Sequence, residues 1–487
     1  MNGQIRRLTV VVGLMFLALM ISATSVQFFQ AADLNTDGRN VRTVYREYGR
    51  DRGPIVVAGD PVATSTPVDD VYGYLREYPQ GPLYAHTTGW FSVAFSSMTG
   101  MERAANPVLS GTADTLLLQR LQTLVTGAQP QGGAVELTLD PAVQQAASDA
   151  LGDQRGAVVA LDPTTGEILA LVSKPTFDPD RLATHDADAA REALAELEAD
   201  PGRPLENRAL AGQQYAPGSS FKVITAAAFL ESGDYGPQTE VASPTQLQLP
   251  QSSQVVNNPG ELPCGDGSGT ATLTEALRQS CNTTFALMAT DLGADAMREQ
   301  AEAFGFGQDL AVPLSTSPSR YPEPASEAEL AMSGFGQVGV RVTPLQMAMV
   351  AAAIANDGVQ MEPYLVARVL DPDLDVVSTT DPSRLATPVS PDTAADLTEM
   401  MREVVRSGTG QNAQISGLEV AGKTGSAQSG TDGVPPHAWF IGFTEAGGQE
   451  VAVATVVEEG GNDGFAASGG TTAAPIARAV MQAAVAG

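Results

Sequence analysis

The sequence predicts an α+β protein: a helical subdomain inserted among the strands of one antiparallel sheet, with a cleft where the two meet. Three observations predict it. Two β-rich runs, Gly156–Leu161 and Glu167–Val172, are joined by the hairpin signal Asp162-Pro163-Thr164-Thr165-Gly166. A second strand-rich block, with Val420–Ser426, Ala438–Phe443 and Glu450–Val457, comes much later. Helical periodicity and helix caps fill most of the interval between them.

The length of 487 residues allows two or three domains and a large core. With 56 acidic against 27 basic residues the net charge is −29, which argues against nucleic acid or an anionic lipid surface as the main partner. The two cysteines and three histidines (His86, His185, His437) lack zinc-ligand spacing, and no phosphate-binding glycine motif stands between a strand and a helix. No metal and no cofactor is expected.

From the amino terminus, Met1–Arg7 is short and basic, and Leu8–Val26 runs nineteen residues without a charge, long enough to cross a bilayer. The expected order is a cytoplasmic tail at 1–7, a transmembrane anchor at 8–29, and everything after it outside. A cleaved signal peptide is the competing reading, but its apolar region is normally shorter, and Ala18–Ala23 offers a poor cleavage site. Residues 30–132 are polar and mixed, and read as a non-catalytic pedestal domain. Within it Val56–Ala58 and Phe91–Phe95 look like short strands and Asp114–Val125 like a helix, while Asp60–Asp70, with Pro61 and Pro67, reads as a loop.

Residues 133–487 form the expected catalytic domain. It opens with a strand over Ala134–Leu139, and Asp140-Pro141 then supplies an N-cap and first turn for a helix to Leu151. Asp186–Ala199 reads as an acidic surface helix. Pro217-Gly218 marks a turn, and the apolar run Val223–Leu230 after it reads as a buried helix. Thr272 with Glu275, and Thr343 with Gln346, are spaced as capping boxes that open two further helices. Thr284–Leu292, Pro391–Ser407 and Ala474–Ala486 are helical as well.

The chemistry gathers around Ser219-x-x-Lys222. Three residues apart, both side chains fall on one face of a helical turn. A serine hydroxyl is a poor nucleophile until a base takes its proton, and a desolvated lysine beside another cation can be that base. The chain has only three lysines, Lys174, Lys222 and Lys423, and uses arginine, which does not deprotonate, everywhere else.

Ser219-x-x-Lys222, Ser280-x-Asn282 and Lys423-Thr424-Gly425, in that order, resemble the motifs of penicillin-binding proteins and serine β-lactamases. The likeness extends over nearly the whole chain to the class B penicillin-binding proteins and, within them, to the actinobacterial penicillin-binding protein A type. Asn40-x-Arg42 and Arg52-Gly53-x-Ile55 are similar to that class's pedestal signatures. Asn207-Arg208-Ala209, Gly336-Gln337, Thr343-Pro344-Leu345-Gln346-Met347 and His437-Ala438-Trp439-Phe440 match other class features.

The resemblance implies a penicillin-binding transpeptidase fold and a membrane-anchored peptidoglycan D,D-transpeptidase of the extracytoplasmic face. In it Ser219 attacks the carbonyl between the last two D-alanines of a stem peptide, with Lys222 as base. Ser280 relays the proton to the leaving amine, and Asn282 holds the substrate amide and orients Lys222. Lys423, Thr424, Gly425 and Ser426 receive the terminal carboxylate. The backbone N–H groups of Ser219 and Ser426 form the oxyanion hole, and β-lactams trap Ser219. Ser426 replaces the threonine of many relatives, and either hydroxyl serves. Implied partners are stem peptides or their lipid-linked precursor, β-lactams, the membrane, and proteins of division or elongation. A D,D-carboxypeptidase or β-lactamase is the alternative enzyme, and a non-catalytic sensor or scaffold the alternative class. Glycosyltransferase activity is not expected, since the pedestal is short and lacks a carboxylate-rich site.

Cys264 and Cys281 enclose sixteen residues in a domain expected outside the membrane, where disulfides persist, so a bridge that stiffens the second motif is expected. Free thiols are the alternative. His437 and Trp439 read as structural.

Overall fold

The computed structural model describes residues 2–25, 49–113, 115, 131–310, 312–428, 431 and 433–486. The Asn40-x-Arg42 signature, and all but one residue of the helix expected over Asp114–Val125, lie outside the described residues.

The first element is the apolar helix α1 (Asn2–Thr24), exposed along its length and long enough to cross a membrane by length and composition. It takes in Arg6 and Arg7 rather than starting after them. Next come three antiparallel strands, β1 (Ile55–Val57), β2 (Asp60–Pro67) and β3 (Tyr74–Glu77). The loop expected over Asp60–Asp70 is therefore mostly strand. Thr64 and Thr66 are β-branched, Val62 and Ala63 are buried, and the prolines sit near the strand ends where a missing N–H is tolerated. Phe91–Phe95 is corrected the other way: only Phe91–Ser92 pairs, with Ser97–Met98, because the chain turns at Ser96 (φ 46°).

β4 (Ala134–Leu137) runs parallel to β1. Helix α2 (Pro141–Leu151) follows, its N-cap Asp140 accepting from Ala142 N and Val143 N. β5 (Gly156–Leu161) and β6 (Ile168–Lys174) form the expected hairpin, and Asp186 caps the surface helix α3 (Ala187–Ala199). The inserted helices are α4 (Lys222–Glu231), α5 (Leu273–Gln279), α6 (Asn282–Ala303, kinked at Gly293) and α7 (Pro344–Ala355). Both capping boxes are half made. Thr272 and Thr343 accept from the N–H three residues on, but Glu275 turns to Arg278 and the Gln346 amide spans to Phe304 O (2.7 Å).

β7 (Val366–Leu370) and β8 (Val376–Thr379) return to the first sheet, whose order is β8-β7-β4-β1-β2-β3. That sheet thus draws on three distant stretches of chain. After α8 (Pro391–Ser407) come β9 (Val420–Ala427), β10 (His437–Ala446) and β11 (Gln449–Val457), then α9 (Ala474–Ala484). The second sheet, β9-β10-β11-β5-β6, is antiparallel throughout. Successive strand residues alternate between two cores. Val159, Ile441 and Ala454 join the cluster that holds α4 and α7, while Val158, Phe440 and Val453 pack with Val143 of α2 and Val480 of α9. Helix α7 is apolar on every side because it is buried on every side but its last residue.

Candidate active site

Ser219 lies in a short 3-10 turn, Gly218–Phe221, that feeds directly into α4. Gly218 has φ +54°, and a Cβ there would stand 2.5 Å from Ser426 O, so the turn lies against the end of β9 only as glycine. Gly425 is bound the same way from the strand side: its Cβ would meet Pro217 O at 2.8 Å. The turn is tied down elsewhere too. Trp439 Nε1 donates to Ala216 O (3.1 Å), and Gly218 N donates to Gly336 O (3.1 Å). Trp439 and Gly336 come from two of the stretches singled out in the sequence.

Lys222, the first residue of α4, is fully buried beneath this turn. Its Nζ donates to Ser280 O (2.6 Å) and Asn282 Oδ1 (2.8 Å), with Ser280 Oγ at 3.2 Å. Ser280 is left-handed (φ 62°, ψ 46°), a strained conformation for a residue with a Cβ. That geometry turns both its carbonyl and its hydroxyl toward the lysines. Lys423, buried on β9, reaches the same Ser280 Oγ (3.0 Å) and also donates to Thr424 O (2.8 Å). Burial first, and then the Lys423 charge, hold the Lys222 amine well below the ordinary lysine pKa. Burial brings Lys423 down to about 7. Among the described residues, neither lysine has a carboxylate partner.

Asn282 starts α6 and is held from its other end, its Nδ2 donating to Asn257 O (2.8 Å). Cys281, between Ser280 and Asn282, is bonded to Cys264, so the bridge read from the sequence is present. Ser219, Ser280, Asn282, Thr424 and Ser426 border one cleft of about 930 Å3. Lys222 and Lys423 lie under its floor, and the Thr424 hydroxyl is hydrogen-bonded to that of Thr409 (2.6 Å). All three motifs therefore meet in one place. Ser219 is half-buried, and no hydrogen bond joins its hydroxyl to Lys222.

Sequence reasoning missed Glu458. It directly follows β11 and takes Tyr215 OH (2.6 Å), Arg208 Nε (2.8 Å) and Arg155 Nη2 (2.9 Å). Desolvation pushes its carboxyl up, but these partners outweigh it and hold the pKa below the usual range. Tyr215 lies four residues before Ser219, so this buried cluster fixes the entry to the nucleophile turn. The one signal was a carboxylate directly after a buried strand. His437 Nδ1 accepts from Glu459 N (3.1 Å) and its ring stands edge-on to Tyr215, the structural place expected for it.

Residues 156–482 match the penicillin binding protein transpeptidase domain, and residues 52–135 match the penicillin binding protein A dimerisation domain. Over its full length the chain is 45% identical to the peptidoglycan D,D-transpeptidase PbpA of Mycolicibacterium smegmatis, of which it covers 99%. It is 43% identical to PbpA of Mycobacterium tuberculosis, with both chains covered completely. The ceftriaxone acyl-enzyme complex of penicillin-binding protein A from M. tuberculosis superposes with a TM-score of 0.87 at 42% identity, covering 91% of this chain and 100% of that one. The penicillin G acyl-enzyme complex of the same protein gives 0.84 at 42%, covering 89% and 99%.

Proposed function

The chain belongs to the class B penicillin-binding proteins and is a peptidoglycan D,D-transpeptidase, and from that premise we propose that Ser219 carries the acyl group and Lys222 activates it. The observation that carries these roles is the hydrogen-bond order around Ser280. The carbonyl of Ser280 and Oδ1 of Asn282 only accept, so they take two N–H groups of Lys222. A cationic Lys423 only donates, so Ser280 Oγ accepts from it and its own proton is free to turn toward a neutral Lys222 at 3.2 Å. A neutral Lys222 has the lone pair to receive that proton; an ammonium does not. The shifts of the two amines have the same sense: Lys222 loses its proton first.

Ser219 Oγ then attacks the carbonyl between the two terminal D-alanines, passing its proton to Lys222. Lys222 and Ser280 hand a proton to the departing D-alanine nitrogen. Asn282 orients Lys222 through Oδ1 and keeps one N–H for the substrate amide. Thr424, Gly425 and Ser426 receive the terminal carboxylate in the field of Lys423. The backbone N–H groups of Ser219 and Ser426, brought together by Gly218, face the developing oxyanion. A second stem peptide's amine resolves the ester. A β-lactam acylates the same oxygen and stays.

Helix α1 anchors the chain in the membrane once, with the catalytic part outside the cytoplasm, where a Cys264–Cys281 disulfide persists. The non-catalytic pedestal corresponds to residues 30–132, completed by β4, β7 and β8 from the catalytic side of the 132/133 boundary. Its surfaces are the place for division or elongation partners. The test is the intact mass of the purified chain after benzylpenicillin. Addition of one antibiotic to the wild type and none to Ser219→Ala is expected; labelling of the variant refutes the assignment.

A further inference from the structure

A second cavity, of about 580 Å3, adjoins the cleft and is walled by Leu262, the Cys264–Cys281 bridge, Arg278 and Ser407. Its size is ordinary for a groove that holds a few residues of a ligand. The two cavities share Pro259 and Thr409 as lining residues, so they adjoin along that boundary. Thr409 is also the residue whose hydroxyl meets that of Thr424, where the leaving D-alanine's carboxylate is placed above. Departure of D-alanine empties a slot bounded by Ser280, Thr424 and Thr409. Making the new amide retraces the breaking of the old one, so the incoming amine enters where the outgoing one left. The way into that slot from the second cavity is over Thr409.

The groove's charge narrows the occupant. Arg278 is the cation on its wall, and its guanidinium is already engaged. Nε and Nη2 go to Glu275 (3.0 and 2.5 Å), and Nη1 goes to Ser407 O (2.9 Å). Leu262, also on the wall, is 65% exposed. The groove therefore offers apolar and hydrogen-bonding surface and no free cation for a carboxylate.

We propose that this groove is the acceptor subsite. It holds an uncharged portion of the second stem peptide, aliphatic or carboxamide, and delivers its primary amine across Pro259 and Thr409 to the acyl-enzyme. In that step the amine nitrogen bonds to the acyl carbon and the ester bond to Ser219 Oγ breaks. The amine's proton passes to Lys222 and on to Ser219 Oγ. This rests on the transpeptidase reading and adds to it where the acceptor lies.

The test uses the full chain in detergent, a diacetylated L-lysyl-D-alanyl-D-alanine donor, and a stem tetrapeptide with one free side-chain amine as acceptor. Mass spectrometry follows acylation, amide product and hydrolysed donor. Leu262→Glu and Ser407→Trp, both on the groove's lining, are each expected to lower the ratio of amide to hydrolysed product at least fivefold while acylation stays within twofold of wild type. A wild-type ratio in both variants, or equal loss of acylation and aminolysis, overturns the subsite. Failure of the wild type to acylate on Ser219 overturns the assignment of the nucleophile instead, and with it the subsite.

Discussion

Two regions bury charge in opposite ways. In the pedestal, Glu102 is fully buried, with Arg52 Nε at 2.5 Å on one oxygen and Arg76 Nε at 2.7 Å on the other. Tyr78 OH adds a hydrogen bond at 3.2 Å. Desolvation pushes the Glu102 carboxyl up, but the charges of and hydrogen bonds from the two arginines more than reverse it, so it stays ionised. Under the cleft, two lysines are buried as completely, and their partners are one shared hydroxyl, a carboxamide and two carbonyls. Paired charge holds structure and stays charged. Charge that is buried without a counterion can change protonation near neutral pH, which is what a base requires. The choice of residue follows, since a guanidinium does not lose a proton and an ammonium does.

The sharpest way to break this contrast is to replace Lys222, the base proposed above. Lys222→Met and Lys222→Arg are each expected to slow benzylpenicillin acylation by on the order of 10³-fold, because neither accepts a proton. Stopped-flow acylation rates that survive in the arginine variant would refute the role of Lys222. Lys222→Met is also expected to unfold at equal or higher temperature, since no buried ion partner is orphaned. The mirror experiment is Glu102→Gln. It strands two buried guanidiniums and should cost about 3–5 kcal/mol in denaturant unfolding while folded protein acylates at its usual rate.

Next in size, the Cys264→Ser, Cys281→Ser double variant should lose about 3 kcal/mol of stability by loop entropy, with unfolding midpoints compared under oxidising conditions. Lys423 gives the smallest effect and a definite sign. In the mechanism proposed above its cation attracts the carboxylate, and burial brings its amine down to about 7. The second-order acylation constant should therefore fall about tenfold between pH 6 and 8 as that proton leaves. The Lys222 amine, which must be neutral, governs the acid limb. A profile flat from pH 6 to 9 would show that Lys423 does not titrate there.

The same contrast explains what the sequence revealed. Ser219, Lys222, Ser280, Asn282 and Lys423 carry chemistry in their residue types and stand in short motifs, so they were legible, as were the cap Asp140 and the adjacent antiparallel strands β10 and β11. Glu458 and Glu102 were not. A carboxylate satisfied by arginines 26 to 303 residues away along the chain leaves no local pattern. β2 was hidden by its prolines, and the left-handed turn of Ser280 by its ordinary side chain. The parallel pairing of β4 with β1 is also a long-range fact, invisible to a window of ten residues.

That pairing bears on synthesis. β4 leaves the ribosome with one edge open, and β7, which covers it, lies roughly 230 residues further on. At about 5–20 residues per second the wait is roughly 10–45 s, during which a row of unsatisfied amides is available to any passing strand. With this part of the chain outside the cytoplasm, the edge needs cover on the outer face of the membrane until residue 370 has crossed.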